Sequence, residues 1–327
     1  MDPALFLADL EAKPAALDSL AVHLASGPAW PEAAVSARRL LLVGMGSSLY
    51  AASVAAARLR AAGADAVAEN AGSDLLPPMP PDGAVIAVSA GGGSRETAAA
   101  VERYRGRCPV VLLTNTPSSE LAARADQVVA LHAGPERGGV ACRSYQHTLA
   151  LLLALEAAAV RPALDVAALV AAAATATGQL LDSRPDWLPE VTRLLAGPDG
   201  SHVVAPARRL ASAQQSALML REGPRVASHA CETADWSHVD VYLTRTLDYR
   251  MLLLAGSPWE DELLRWAGER NTTVVAAGGD VPGAAVTVRY PGDEDDDVRL
   301  LTEVLVAELT AATLWSAQAM AADQGGH

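Results

Sequence analysis

Along the chain, short apolar runs alternate with longer segments whose apolar positions recur every three to four residues. Four runs in the first half have the length and composition of buried strands: "LLLVG" (40–44), "AVIAVS" (84–89), "VVLLTN" (110–115) and "QVVALH" (127–132). Ala-rich segments such as "SLYAASVAAARLRAAG" and "ETAAAVERYRG" lie between them with helical spacing. Strand then helix, repeated, predicts a parallel sheet covered by helices on both faces.

The rhythm starts again after residue 200. "HVVAPA" (202–207) leads into "RLASAQQSALMLRE", and "MLLLAG" (251–256) leads into "WEDELLRWAGER". "TVVAAG" (273–278) and "AVTVRY" (285–290) follow, and a long helix, "DVRLLTEVLVAELTAATLWSAQAMAA", is expected to close the unit. Two copies of one α/β unit is the economical reading. The expected boundaries are an N-terminal helical segment over 1–35, a first unit with joining helices over 36–185, and a second unit over 186–327.

Composition narrows the function classes. Hydrophobic residues make up 51% of the 327, so a globular protein is expected. A net charge of −13 argues against nucleic acid or an anionic membrane as partner. Three scattered cysteines, Cys108, Cys142 and Cys231, form neither a disulfide framework nor a zinc site. The N-terminus carries Asp2, Asp9 and Glu11 and has no basic segment, unlike a signal peptide. The apolar region around 149–178 is broken by Glu156, Arg161, Pro162 and Asp165, so no membrane-spanning helix is expected and a cytoplasmic location is. The acidic run Asp293–Asp297 reads as a solvated loop and helix start, with a calcium loop as the alternative.

Two loops are placed to bind a ligand, because open α/β sheets bind beyond the carboxyl ends of their strands. "GMGSS" (44–48) follows the first strand and "SAGGGSRET" (89–97) follows the second. Glycines admit close backbone approach, while hydroxyls and helix-start N–H groups suit an anion such as phosphate. Neither loop is a P-loop or a GxGxxG fingerprint. A tight strand-to-helix turn with an N-cap is the structural alternative for each.

These loops, with "ERGGVACRS" (136–144) and "SALMLREGPRVASHACETADWSHVDVY" in the second half, resemble the family of proteins with two SIS (sugar isomerase) domains. That family includes the isomerase half of glucosamine-6-phosphate synthase and several sugar-phosphate isomerases, deaminases and deglycases. The resemblance covers nearly all of the chain past about residue 36. It implies two tandem SIS domains, each an α/β/α sandwich with a parallel sheet.

Carried over by position, the resemblance implies that Ser47, Ser48, Ser89, Ser94 and Thr97 bind a substrate phosphate. Gly46, Gly91, Cys142 and Arg143 are implied substrate contacts. Gly91 and Cys142 stand where the family usually has hydroxyls, and Arg95 and Arg143 are cations able to compensate. Glu222 matches the family's base for moving a proton between C1 and C2. His238, sixteen residues on, matches its ring-opening histidine, with His229 a rival and Glu232 and Asp235 placed to orient either ring.

A metal site through His229, Glu232, Asp235 and His238 is the alternative if that stretch is helical. The chain's single lysine is Lys13, so the C-terminal lysine of the amidotransferase members has no counterpart. Met219 and Arg221 replace the lysines of the family's K-x-K-E pattern. No cofactor and no glutaminase activity are expected.

The expected function is a sugar-phosphate aldose–ketose isomerase, or an aminosugar-phosphate deaminase or deglycase. A catalytically silent sugar-phosphate sensor is the second reading and a nucleotide-binding α/β protein the third. The family implies a homodimer with a shared active site.

Overall fold

The computed structural model describes residues 1–325, with side chains through Ala322. In chain order the elements are α1 (Pro3–Glu11), α2 (Lys13–Ala25), α3 (Glu32–Val35), β1 (Arg39–Gly44), α4 (Ser47–Ala61), β2 (Asp65–Asn70), β3 (Ala84–Val88), α5 (Arg95–Tyr104), β4 (Val110–Thr114) and β5 (Gln127–Ala130). Then come α6 (Arg143–Ala159), α7 (Val166–Asp182), α8 (Arg184–Leu195), β6 (Ser201–Ala205), α9 (Leu210–Glu222), β7 (Ser228–Glu232) and α10 (Thr233–Trp236). The chain ends with β8 (Arg250–Leu254), α11 (Glu260–Glu269), β9 (Thr273–Ala277), β10 (Val286–Val288), α12 (Asp296–Thr302) and α13 (Val304–Gly325).

Two compact units result. One holds Ala15–Pro135 and Ala141–Ala171; the other holds Met1–Pro14, Glu136–Val140 and everything from Ala172 onward. Each is built on a five-stranded, wholly parallel sheet. The orders are β2-β1-β3-β4-β5 and β7-β6-β8-β9-β10, the same sequence of connections in both.

Apolar runs make the inner strands because both of their faces are covered. β3 and β4 are buried at every position. In the first sheet, Leu41, Val43, Val85, Ala87, Val110 and Leu112 pack against Ala100, Val101 and Tyr104 of α5. On α4, Ala51, Ala52, Ala55 and Ala56 are buried, and side chains this small let the helix lie close to β1 and β2. In the second sheet, Val204, Met251, Leu253, Val274 and Ala276 pack with Trp236, Tyr249, Leu263 and Ala267.

Several expectations need correction. β2 ("DAVAEN") and β7 ("SHACE") have no apolar run to announce them. Each is an edge strand, with a neighbour on one side only and several positions open to solvent, so polar residues are tolerated there. The expected long last helix is two helices that meet at Glu303. Residues 229–238 are not one helix but the end of β7 followed by α10, which removes the geometry that the metal alternative needed. Among the described residues no three His, Cys, Asp or Glu side chains group as metal ligands.

The acidic run is less solvated than expected. Asp295 caps α12 by accepting from the Asp297 N–H at 2.7 Å, but Asp293 and Asp297 are buried. Asp293 is held by Arg289. One stretch, Asp296–Ala322, is in fact long and apolar enough to cross a membrane, yet 72% of its apolar window is buried inside the protein. It is packed as a core helix, with α1 and α9 lying against α13.

Candidate active site

The first sheet changes direction at β1. The chain leaves β1 to one side for β2 and returns on the other as β3, so the carboxyl ends of β1 and β3 border a crevice. Both glycine-rich loops open into that edge. Gly46 takes φ +52° just before α4, and a side chain on Gly44 would lie 2.9 Å from the Ser48 backbone. The turn therefore seats Ser47 and Ser48 at the first two positions of α4, half-buried. Neither hydroxyl bonds within the chain among the described residues.

The second loop is braced from β4. Gly92 has φ +65°, and a Cβ there would fall 2.6 Å from the Cβ of Ser119. The Gly92 N–H donates to Ser89 O (3.0 Å) and the Asn115 N–H to Ala90 O (2.9 Å). Ser89 is buried at the base of the loop, its hydroxyl engaged with nothing in the chain among the described residues. Gly91, where the family has a hydroxyl, is exposed.

Ser94 and Thr97 are differently placed. Ser94 caps α5: its hydroxyl accepts from the Thr97 N–H (3.1 Å) and the Thr97 hydroxyl (3.1 Å) while donating to Glu96 (3.0 Å). The Glu96 backbone N–H, and after it the Ser94 hydroxyl, hold the Glu96 carboxyl below the ordinary glutamate range. Thr97 is fully buried. Of the five expected phosphate ligands, three thus present uncommitted hydroxyls and two are spent on a helix cap.

Cys142 and Arg143 begin α6 and are both buried. Arg143 donates to the Pro135 carbonyl, so its guanidinium tethers the loop after β5. Arg95 is exposed at the start of α5.

In the second sheet, Glu222 is the last residue of α9, which joins parallel strands β6 and β7; its end therefore lies on the amino side of that sheet. The turn beyond it rests on α13, where Gln318 donates to the Pro224 carbonyl at 2.8 Å and Gly223 lies against the Trp315 ring. Burial pushes the Glu222 carboxyl above its ordinary range, with Arg221 pulling weakly the other way.

His229 and His238 are both exposed, the first on β7 and the second just beyond α10. Glu232 caps α10 through the Ala234 and Asp235 N–H groups, so it shapes the turn before His238. Sequence reasoning missed the group beneath this segment: His202, Asp240 and Tyr249. His202 stacks on Tyr249 (centroids 3.9 Å apart), and its Nδ1 lies 3.7 Å from Asp240. Only the register of β6 with β7, which pairs His202 with His229, hints at it.

The crevice of the second sheet differs in kind. Between the carboxyl ends of β6 and β8, Arg208, Arg209 and Arg299 converge on Gly256, whose Cβ would lie within 3.4 Å of all three guanidinium groups. Asp296 lies among them, bound by Arg208 (2.5 Å) and Arg209 (3.1 Å) and 3.5 Å from Arg299. Burial raises the Asp296 carboxyl, but the arginines outweigh it and hold it below its ordinary range.

Residues 35–161 match the SIS domain. The chain is also 26% identical to a glutamine–fructose-6-phosphate aminotransferase (isomerizing) of Aeropyrum pernix, over 93% of this chain and 50% of that protein. It thus spans about half the length of this curated relative. Among solved structures, tagatose-6-phosphate ketose/aldose isomerase from Escherichia coli superposes with a TM-score of 0.76 at 18% identity, covering 98% of this chain and 95% of that one. Glucosamine-6-phosphate deaminase from Thermotoga maritima gives 0.73 at 17% identity, covering 96% and 95%. The superpositions show the fold, two parallel five-stranded sheets flanked by helices, while the SIS match covers one domain on the first sheet and not the two tandem SIS domains expected.

Proposed function

We propose that the protein moves a proton between C1 and C2 of a hexose 6-phosphate, as an aldose–ketose isomerase or an aminosugar-phosphate deaminase or deglycase. The observation that carries this reading is the crevice of the SIS-matched unit, where the free hydroxyls of Ser47, Ser48 and Ser89 border one strand-end site. The named relatives act on different reactions but share a hexose 6-phosphate in their names. Glu222 is the proton shuttle, its raised pKa suiting the role, and His238 opens the ring or protonates a departing amine. Proton transfer of this kind is redox-neutral, so these residues suffice without an electron carrier.

The two sheets share one strand order, which supports reading the second as a degenerate SIS domain. A homodimer completes the proposal, with the Glu222 of one chain and the His238 of its partner in one site. The three cysteines are buried and form no disulfide among the described residues, in keeping with a reducing cytoplasm.

The deciding experiment is solvent exchange in D2O with fructose 6-phosphate, glucose 6-phosphate and glucosamine 6-phosphate, read by proton NMR. Deuterium uptake at C1 or C2 that Glu222→Gln abolishes is the expected result. A second reading, a silent sugar-phosphate sensor, is favoured by the commitment of Ser94 and Thr97 to the α5 cap. Ligand-induced melting shifts without exchange would establish it instead. For the dimer, mixing Glu222→Gln with His238→Ala should restore about a quarter of wild-type activity if the two residues come from different chains. No recovery would place both in one chain.

A further inference from the structure

His238 sits on a turn with almost no side-chain anchorage of its own. It is exposed, as is Val239 beside it. Its backbone N–H bonds only to Asp235 O (2.9 Å), at the end of the four-residue helix α10. A helix this short does not hold a turn in place by itself. What flanks His238 is different. Two residues before it, Trp236 is fully buried; two residues after it, Asp240 is largely buried.

Both of those side chains reach one atom. The Trp236 indole N–H donates to the Tyr249 hydroxyl at 2.9 Å, and that hydroxyl donates to the Asp240 carboxylate at 2.9 Å. A phenol has one donor and two acceptor positions, so it serves both bonds at once. Tyr249 precedes β8 and is itself fixed, edge-on to Trp236 and stacked on His202. Burial and the neighbouring Asp240 charge push the phenol pKa up, keeping the hydroxyl protonated as a donor. Burial raises the Asp240 carboxyl, but His202 and the Tyr249 hydrogen bond outweigh it, so Asp240 stays ionised as the acceptor.

We propose that Tyr249 is a positioning residue for His238: its hydroxyl staples Trp236 and Asp240, the two ends of the turn, and so fixes where the imidazole is presented. The inference rests on reading His238 as the functional histidine. Nothing else among the described side chains ties both ends of the turn to a single atom. Removing the oxygen leaves the ring and its stacking in place but frees both ends.

The test compares Tyr249→Phe, His238→Ala and the double variant, with deuterium exchange into fructose 6-phosphate as the activity. Tyr249→Phe should lower kcat at least tenfold with KM within about twofold, and the double variant should be no slower than His238→Ala. Backbone hydrogen exchange over 236–242 should speed up, and the NMR signals of the His238 imidazole should move. A Tyr249→Phe protein with wild-type kcat beside an inactive His238→Ala overturns the staple and leaves the reading of His238 standing. A His238→Ala protein of wild-type rate overturns that reading. The staple is then judged on backbone exchange and the imidazole signals alone, and is overturned if neither changes. Should Tyr249→Phe fail to fold, Trp236→Phe and Asp240→Asn each remove one of the two bonds and carry the same expectations.

Discussion

Glu222 combines two properties that seldom go together in a surface glutamate: it ends a helix and its pKa is raised by burial. A folded pKa above the unfolded one means that stability from the protonated form is present at low pH. It is lost as pH rises through the folded value, so near neutrality the buried charge costs the fold something. Glu222→Gln should therefore abolish exchange without lowering the melting temperature at pH 7. A melting temperature that falls would mean the carboxylate has a structural partner and is not held for chemistry. The acid limb of the pH–rate profile should lie above the ordinary glutamate value of 4.5, and an acid limb at or below it would remove Glu222 as the base. Nothing in the local sequence around Glu222 announces the raised pKa: burial causes it, and the turn after α9 is covered by Trp315 and Gln318 of α13, nearly a hundred positions away in sequence.

At the level of elements, the strands that could be read from the sequence were those with an apolar run: the six inner strands, and the edge strands β5 and β10, of which β5 is more exposed than the buried strand expected there. β1, β3, β4, β6, β8 and β9 carry runs of Val, Leu, Ile and Ala because both of their faces are covered, with Thr114, Ser201 and His202 the buried polar residues among them. β2 and β7 escaped because, unlike the edge strands β5 and β10, they break their apolar positions with Asp65, Glu69 and Asn70 or with Ser228, His229 and Glu232, which a strand with one neighbour tolerates. The candidate site follows the same division. Loops at strand ends are visible as glycines and hydroxyls, whereas Tyr249 and His202 meet only once β6 and β8 pair.

The sequence equally could not separate hydroxyls that face a ligand from those that cap a helix. Ser94→Ala should lower stability by about 1 kcal/mol through loss of the α5 cap. Ser47→Ala and Ser48→Ala should leave the melting temperature unchanged and weaken sugar-phosphate binding, as isothermal calorimetry would show. If Ser94→Ala leaves the melting temperature alone, the cap bonds are not what Ser94 is for.

Over the whole molecule, one charge pair stands out in the unit built on the second sheet. The only lysine of the chain, Lys13, is fully buried and bonds the fully buried Glu308 of α13. Breaking a buried pair from one side strands the other charge, so Lys13→Met should cost about 3–5 kcal/mol, measurable by urea denaturation. Replacing both partners with apolar residues should recover most of that loss. Without recovery, the cost would belong to packing around α1 and α13 and not to the charges.

The two sheets share a strand order, but their crevices have met opposite fates. One keeps hydroxyls with no partner. The other has drawn three arginines around the protein's own Asp296, which fills the place where an anion would sit. A repeated strand order alone would suggest two binding events per chain, whereas on the proposed reading a second crevice whose arginines already hold Asp296 and Glu303 leaves one. Calorimetric titration with a hexose 6-phosphate should accordingly give a stoichiometry of one per chain, and Asp296→Asn should be the change that admits a second, weaker equivalent.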